Sequence, residues 1–157
     1  MSRRPFQSFL DEHRTPVLAY LRAMVGPSDA DDCFQETFMA ALRSYETLDG
    51  VNPRAWVMTI ARNKAIDHHR AAGRRAVPKG DDLPDVPAPP KAEHDPELWA
   101  RVAELPERQR EAVGLRFAAD LRYREIARTM ATSEEAARRS VHEGLKKLRE
   151  TVTKEEQ

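Results

Sequence analysis

At 157 residues, the chain is long enough for one domain or for two small ones of the marginal size, about 60 to 70 residues, that can fold alone. Its single cysteine, Cys33, excludes an internal disulfide and a multi-cysteine metal site, and its place among apolar positions points to simple burial. No run approaches the roughly 18 to 20 apolar residues of a membrane span, and Met1-Ser2-Arg3-Arg4 leads into no signal-peptide core, so a cytoplasmic protein with no membrane partner is expected, while 26 basic against 26 acidic residues give no overall basic excess.

In chain order, Phe6, Phe9, Leu10, His13, Val17, Leu21 and Met24 follow one helical face that ends at Gly26-Pro27, with Pro16 as a candidate kink. Ser28 offers a hydroxyl cap for a second helix striped by Cys33, Phe34, Thr37, Phe38, Ala41, Leu42 and Tyr45. The acids Asp29, Asp31, Asp32 and Glu36 cluster at its start, where they complement the helix dipole. Asn52-Pro53, a capping side chain followed by a first-turn proline, opens a third helix striped by Trp56, Val57, Ile60, Ala61 and Ala65. From Arg54 to Arg75 six basic residues face one acid, a local charge of +5. Within that block Trp56, beside Arg62, Asn63 and Arg70, reads either as a core residue or as a stacking platform for an unpaired base. His68 and His69 are adjacent, point apart on a helix and cannot share a metal, so no metal site is expected.

Between Gly73 and Pro96 the periodicity stops and six prolines gather, Pro78, Pro84, Pro87, Pro89, Pro90 and Pro96. From Gly80 to Glu97 six acids oppose Lys91, so the neutral total is a cancellation of separated blocks. Beyond this linker, Leu98, Val102 and Leu105 mark a short helix, Pro106 restarts one that carries Ala112, Val113, Leu115 and Phe117, and a helix from Leu121 to Met130 turns through Ala131-Thr132-Ser133 into another from Glu134 to about Arg149. Two helices joined so tightly make a helix-turn-helix, or a plain helical hairpin. Arg138, Arg139, His142, Lys146 and Lys147 suit base and phosphate contact; Glu134, Glu135 and Glu143 on the same helix oppose it, although the first two also complement the helix start capped by Ser133. No alternating pattern suggests a sheet. The expected fold is all-α: helical domains over 1–73 and 97–157 joined by a flexible, acidic, Pro-rich linker at 74–96. No phosphate loop, nucleophile elbow or carboxylate pair calls for an enzyme or a cofactor.

Taken together the segments resemble the extracytoplasmic-function (ECF) group of bacterial sigma-70 family factors over nearly the whole chain. Asp31-Asp32-Cys33-Phe34-Gln35-Glu36-Thr37-Phe38 is similar to the family's D-D-x-x-Q-E-T-F helix, and Pro53 to Arg70 to its R-x-W-L-x-x-I-A-R-N-x-x-x-D-x-x-R segment. Leu105 to Glu111 resembles L-P-x-x-x-R-E, and Tyr123-Arg124-Glu125-Ile126-Ala127 the Y-x-E-I-A opening of its helix-turn-helix. The resemblance implies a sigma factor that binds RNA polymerase core enzyme and promoter DNA, with an anti-sigma protein as a further candidate partner. It places polymerase contacts on Asp31, Asp32, Gln35, Glu36 and Phe38, opened minus-10 DNA on Arg54, Trp56, Arg62, Asn63 and Arg70, and minus-35 contacts on Ser133, Arg138, Arg139, His142 and Lys146. The loop from Glu46 to Asn52 would hold a flipped base, and the acidic linker would thread toward the active-site and RNA-exit channel.

The chain departs from the family at Ala131 and Thr132, where glycine and a larger apolar residue are usual, at Ala137 in place of a common valine, and at Glu143 where a base is frequent. A left-handed Ala131 would cost roughly 1 kcal/mol relative to glycine. Three other readings stand beside this one: a paralogue that binds polymerase without initiating, a helix-turn-helix regulator that binds operators alone, and a helical interaction protein without DNA.

Overall fold

The computed structural model describes residues 5–48, 52–74 and 96–156, and among them every regular element is helical. Helix α1 (Phe6–Val25) follows the expected stripe, burying Phe9, His13, Val17, Leu21 and Met24. It runs through Pro16, which is buried. Proline has no N–H, so the intrahelical bond that the Glu12 carbonyl would accept from residue 16 cannot form; Arg54 Nη2 lies at 3.5 Å from that oxygen.

Gly26 is the whole joint between α1 and α2 (Pro27–Ser44). With φ at +88° it donates its N–H to Arg22 O at 3.0 Å, closing α1, and accepts the Ala30 N–H at 3.1 Å, opening α2. The expected Ser28 cap is therefore corrected: Gly26 occupies the cap, Pro27 fills the first helical position where no donor is needed, and Ser28 is exposed in the first turn. A 3-10 turn (Tyr45–Thr47) follows. Helix α3 (Pro53–Arg74) starts as the Asn52-Pro53 signal predicts, Asn52 Oδ1 accepting the Arg54 N–H at 3.0 Å and its carbonyl accepting the Trp56 N–H. These three helices close over Val17, Leu21, Cys33, Thr37, Phe38, Val57, Met58 and Ala61. Phe9 is the hub of their aromatic contacts, with ring centroids 5.3 Å from Tyr45, 5.7 Å from Trp56 and 6.3 Å from Phe38.

Residues 75–95 and 49–51 lie outside the described residues, and with them the body of the linker and the centre of the 46–52 loop. The second unit comprises α4 (Pro96–Ala103), α5 (Glu107–Val113), a π-helical turn (Gly114–Ala118), α6 (Tyr123–Thr129) and α7 (Glu134–Glu156). The π turn breaks the single helix expected after Pro106. Its wider spacing buries Leu115 and Ala118 and leaves Phe117, read in sequence as part of the apolar pattern, half exposed. With no Gly or Pro after Arg149, α7 continues past its expected end.

The α6–α7 turn is a Schellman arrangement: the Thr132 N–H reaches Ala127 O at 2.9 Å and the Ala131 N–H reaches Arg128 O at 3.3 Å, with Ala131 left-handed at φ +53°. Ser133 Oγ then accepts the Ala136 N–H at 3.1 Å and caps α7. Helix α7 lies close on α5 because position 144 is glycine; a Cβ there would sit 2.7 Å from Val113 Cγ2.

The two units pack on each other, with α1 and α3 lying against α4, α5, the π turn and α6. One cluster of buried side chains runs through both. The fully buried ring of Tyr20 on α1 lies under Gly114, where a Cβ would meet it at 3.0 Å.

Candidate polymerase and promoter interface

Helix α2 presents one outward line. Asp32, Gln35, Glu36, Met39 and Leu42 recur at three- and four-residue spacing and all are exposed, Met39 and Leu42 by more than half. This is an acidic and amide strip ending in two bare apolar side chains. Asp31 is half-buried at its edge. Phe38 does not belong to the strip: it is 5% exposed and packs against Phe34 at 4.8 Å between ring centroids.

Helix α3 separates its five candidate residues. Trp56, Asn63 and Arg70 fall seven residues apart on one face, Trp56 half-buried and the other two exposed. Arg54 and Arg62 turn toward the second unit. Arg54 Nε donates to His13 Nδ1 at 2.7 Å and Nη1 to Ala119 O at 3.3 Å, and burial lowers its basicity against the pull of Glu12 and Asp120. Arg62 Nε lies 3.2 Å from Glu111 Oε1. Glu111 is buried, and that burial raises its carboxyl above the ordinary value although Arg62 pulls it down. The two histidines diverge as expected, His68 pairing with Asp29 at 3.1 Å and His69 with Met24 O at 2.9 Å. Among the described residues no group of three or more potential ligands could hold a metal.

Helix α7 buries Ala137, Val141, Gly144 and Leu148 and exposes Arg138, Arg139, His142 and Lys146 on the opposite side. Ser133 sits at the start of that face as the cap. Glu143 turns toward α5, where Gln109 Nε2 donates to it at 3.4 Å, so its charge is partly engaged away from the exposed basic line.

Sequence reasoning missed a second basic group. Arg116, Arg122, Tyr123, Arg124 and Glu134 line an open cleft of about 380 Å³ beside the starts of α6 and α7. The Arg116 and Arg138 guanidinium carbons each lie 5.0 Å from the centre of the Tyr123 ring, so one aromatic orients two cations. The density of arginine between residues 116 and 124 was the available signal.

An acidic strip, a basic helix and a helix-turn-helix follow one another along the chain, and comparison with known proteins specifies the class. The family model described as Sigma-70 region 2 matches residues 9–75, and that described as Sigma-70, region 4 matches residues 96–148. The ECF RNA polymerase sigma factor SigF of Caulobacter vibrioides is 34% identical over 140 residues, 85% of this chain and 76% of that protein. SigX of Bacillus subtilis is 29% identical over 92% of this chain and 81% of its own length, whereas BldN of Streptomyces coelicolor is 31% identical over 83% of this chain but only 54% of its own length. The chain belongs to the extracytoplasmic-function group of the sigma-70 family and is an RNA polymerase sigma factor directing transcription initiation. Its fold matches that of the sigma factor RpoE solved with the anti-sigma factor NepR from Bartonella quintana, with a TM-score of 0.76 at 21% identity over 94% of this chain and 96% of that one. Among the described residues no helix is long and apolar enough to cross a membrane.

Proposed function

We propose that initiation is divided among the three surfaces. The α2 strip of Asp32, Gln35 and Glu36, extended by Met39 and Leu42 and flanked by Asp31, docks on core polymerase, with Phe38 fixing the helix from beneath. Helix α3 takes the opened minus-10 strand, Trp56, Asn63 and Arg70 on its outer line and Arg54 and Arg62 on its inner one. Helix α7 enters the minus-35 major groove, Arg138 and Arg139 facing base edges while His142 and Lys146 lie toward phosphate. Arg116, Arg122 and Arg124 supply a phosphate clamp at the same groove. The protein acts by binding rather than by chemistry of its own, in the cytoplasm, and the sigma factor RpoE, solved with the anti-sigma factor NepR, supports such a protein as its regulator.

The observation that carries this reading is the line of Arg138, Arg139, His142 and Lys146 on the exposed side of α7 against buried Ala137, Val141, Gly144 and Leu148, with Glu134 at 3.9 Å from Arg138 in the first turn. The test is run-off transcription by purified core polymerase on a genomic library, with the wild type and with Arg138→Ala/Arg139→Ala. New starts sharing upstream elements, reduced in the variant, are expected. Starts that the variant uses unchanged would remove the minus-35 assignment; polymerase binding without any start would instead identify a paralogue that does not initiate.

A further inference from the structure

We infer that Tyr123 is a positioning residue for Arg138, so that a ring on the first helix of the helix-turn-helix sets the base specificity of a cation on the second. The inference rests on the assignment of Arg138 to a base edge in the minus-35 groove.

An arginine that reads a base must hold its planar fork in one orientation, and ordering so long a side chain costs conformational freedom. Fixing the side chain before DNA arrives removes that cost from binding. Arg138 is not fixed by the packing of its own helix, because its side chain is 62% exposed. Two groups do reach it: the centre of the Tyr123 ring lies 5.0 Å from its guanidinium carbon, and the Glu134 carboxylate lies 3.9 Å from Nη2, one turn earlier in α7. At 3.9 Å the carboxylate takes up no N–H donor, and an ion pair this exposed is weakly held. The ring is therefore the group that orients the cation, and it leaves the fork its donors for a base edge.

Tyr123 is itself firmly mounted. It is the first residue of α6, whose start is held by Glu125 Oε1 accepting the Arg122 N–H at 3.2 Å and by the Arg122 carbonyl accepting the Ile126 N–H at 2.9 Å. The segment before it is tied twice to the π turn: the Leu121 N–H reaches Leu115 O at 3.1 Å, and Arg116 Nη1 donates to Leu121 O at 2.9 Å. Leu115 and Leu121 are fully buried, which anchors this frame in the core. Arg116, fixed by that backbone bond and half-buried, also lies 5.0 Å from the Tyr123 ring. Two cations of unequal freedom thus share one aromatic, and constraint passes from Leu121 through Arg116 and Tyr123 to Arg138. Arg139, about 100° further round the helix, is an exposed basic candidate with no ring contact among the described residues. It supplies an internal control on the same helix.

The test is transcription by core polymerase with the full chain on a promoter library randomised over the minus-35 element, the transcripts being sequenced. Arg138→Ala first marks the base position whose preference depends on that arginine, and Arg139→Ala marks its own. Tyr123→Leu is expected to weaken preference at the Arg138 position by about two- to fivefold, the size of a surface cation–ring contact. Tyr123→Phe, which restores the ring, is expected to keep that preference, and neither variant is expected to change the Arg139 position. Should Tyr123→Leu fail to fold, as judged by circular dichroism, Tyr123→Met carries the same expectation with a more adaptable apolar side chain. A ring that only fills space would lower transcription from every library member alike and leave the profile of preferences intact. That result overturns the proposal, as does a loss of preference at all positions together or a Tyr123→Phe protein that behaves like Tyr123→Leu. If Arg138→Ala changes no position, the base assignment of Arg138 fails and the proposal with it; if it changes one that Tyr123→Leu leaves intact, the positioning alone fails.

Discussion

Ala131 makes the sharpest quantitative prediction. It stands at φ +53° with its Cβ in solvent, and the two Schellman hydrogen bonds on either side of it use backbone groups alone. Replacing it with glycine therefore removes the left-handed penalty without touching a contact. That penalty is about 1 to 2 kcal/mol for an L-residue, set against about 0.4 to 1 kcal/mol for the extra freedom glycine brings to the unfolded chain. The net is a gain of about 0.5 to 1 kcal/mol, or a rise of about 1 to 4 °C in Tm for a chain of this size. Thermal unfolding followed by helical circular dichroism would measure it, with Gly substituted at the exposed mid-helix position Arg139 as a control expected to cost about 1 kcal/mol of helix propensity and so to lower Tm by about 2 to 4 °C. An Ala131→Gly protein no more stable than the parent would refute the argument, since it would mean the turn gains from its alanine something the backbone geometry does not contain.

The other predictions concern the packed interior. Tyr20→Phe keeps the ring under Gly114 and deletes an unpaired buried hydroxyl, so it is expected to stabilise by about 1 kcal/mol in denaturant unfolding; a loss would reveal a partner for that oxygen. Gly144→Ala gains about 1 kcal/mol of helix propensity but drives a Cβ to 2.7 Å from the buried, stiff Val113 side chain, an overpacking cost of about 1 to 3 kcal/mol, so a net destabilisation is expected and a higher Tm would count against the close approach of α5 and α7. Burial holds the Glu111 carboxyl above its ordinary value despite Arg62, with Glu107 adding to the rise and Arg108 opposing it. The folded state then binds the proton more readily than the unfolded one, so this carboxylate's cost is full at neutral pH and disappears as pH falls toward the ordinary carboxylate value. Glu111→Gln is expected to narrow its stability difference from the wild type between pH 7 and pH 5, and a difference that does not change with pH would contradict the assignment.

Much of the architecture was legible because helices announce themselves locally. The stripe through Phe9, Val17 and Leu21, the Asn52-Pro53 start and the Ala131 turn each depend on residues a few positions apart, and the structure places all three as expected. The Gly26 joint was misread because Ser28 is a better cap by residue type, whereas the geometry that decides is the positive φ of the glycine before Pro27. Phe117 was misread because a π turn shifts phase without any residue that declares it. The docking of the two units left no trace in periodicity at all. Its polar contacts join residues 49 to 73 positions apart, such as Arg62 with Glu111 and Asn52 with Glu125, and a basic side chain looks the same in sequence whether it will meet a phosphate or a glutamate. Hence residue type alone picked out the five α3 candidates and was silent on which of them would face inward.

Pro16 leaves α1 short of one internal donor at a known address, the carbonyl of Glu12, and the guanidinium that reaches toward that carbonyl also holds His13 and the carbonyl of Ala119. Two stretches of chain far apart in sequence, residues 12–13 and Ala119, thus converge on the side chain of a third through a proline that helix propensity alone would discard. A residue that weakens its own helix serves here as an address label, telling Arg54 where along α1 to settle and so fixing the register in which α3, and everything docked on it, meets the first helix.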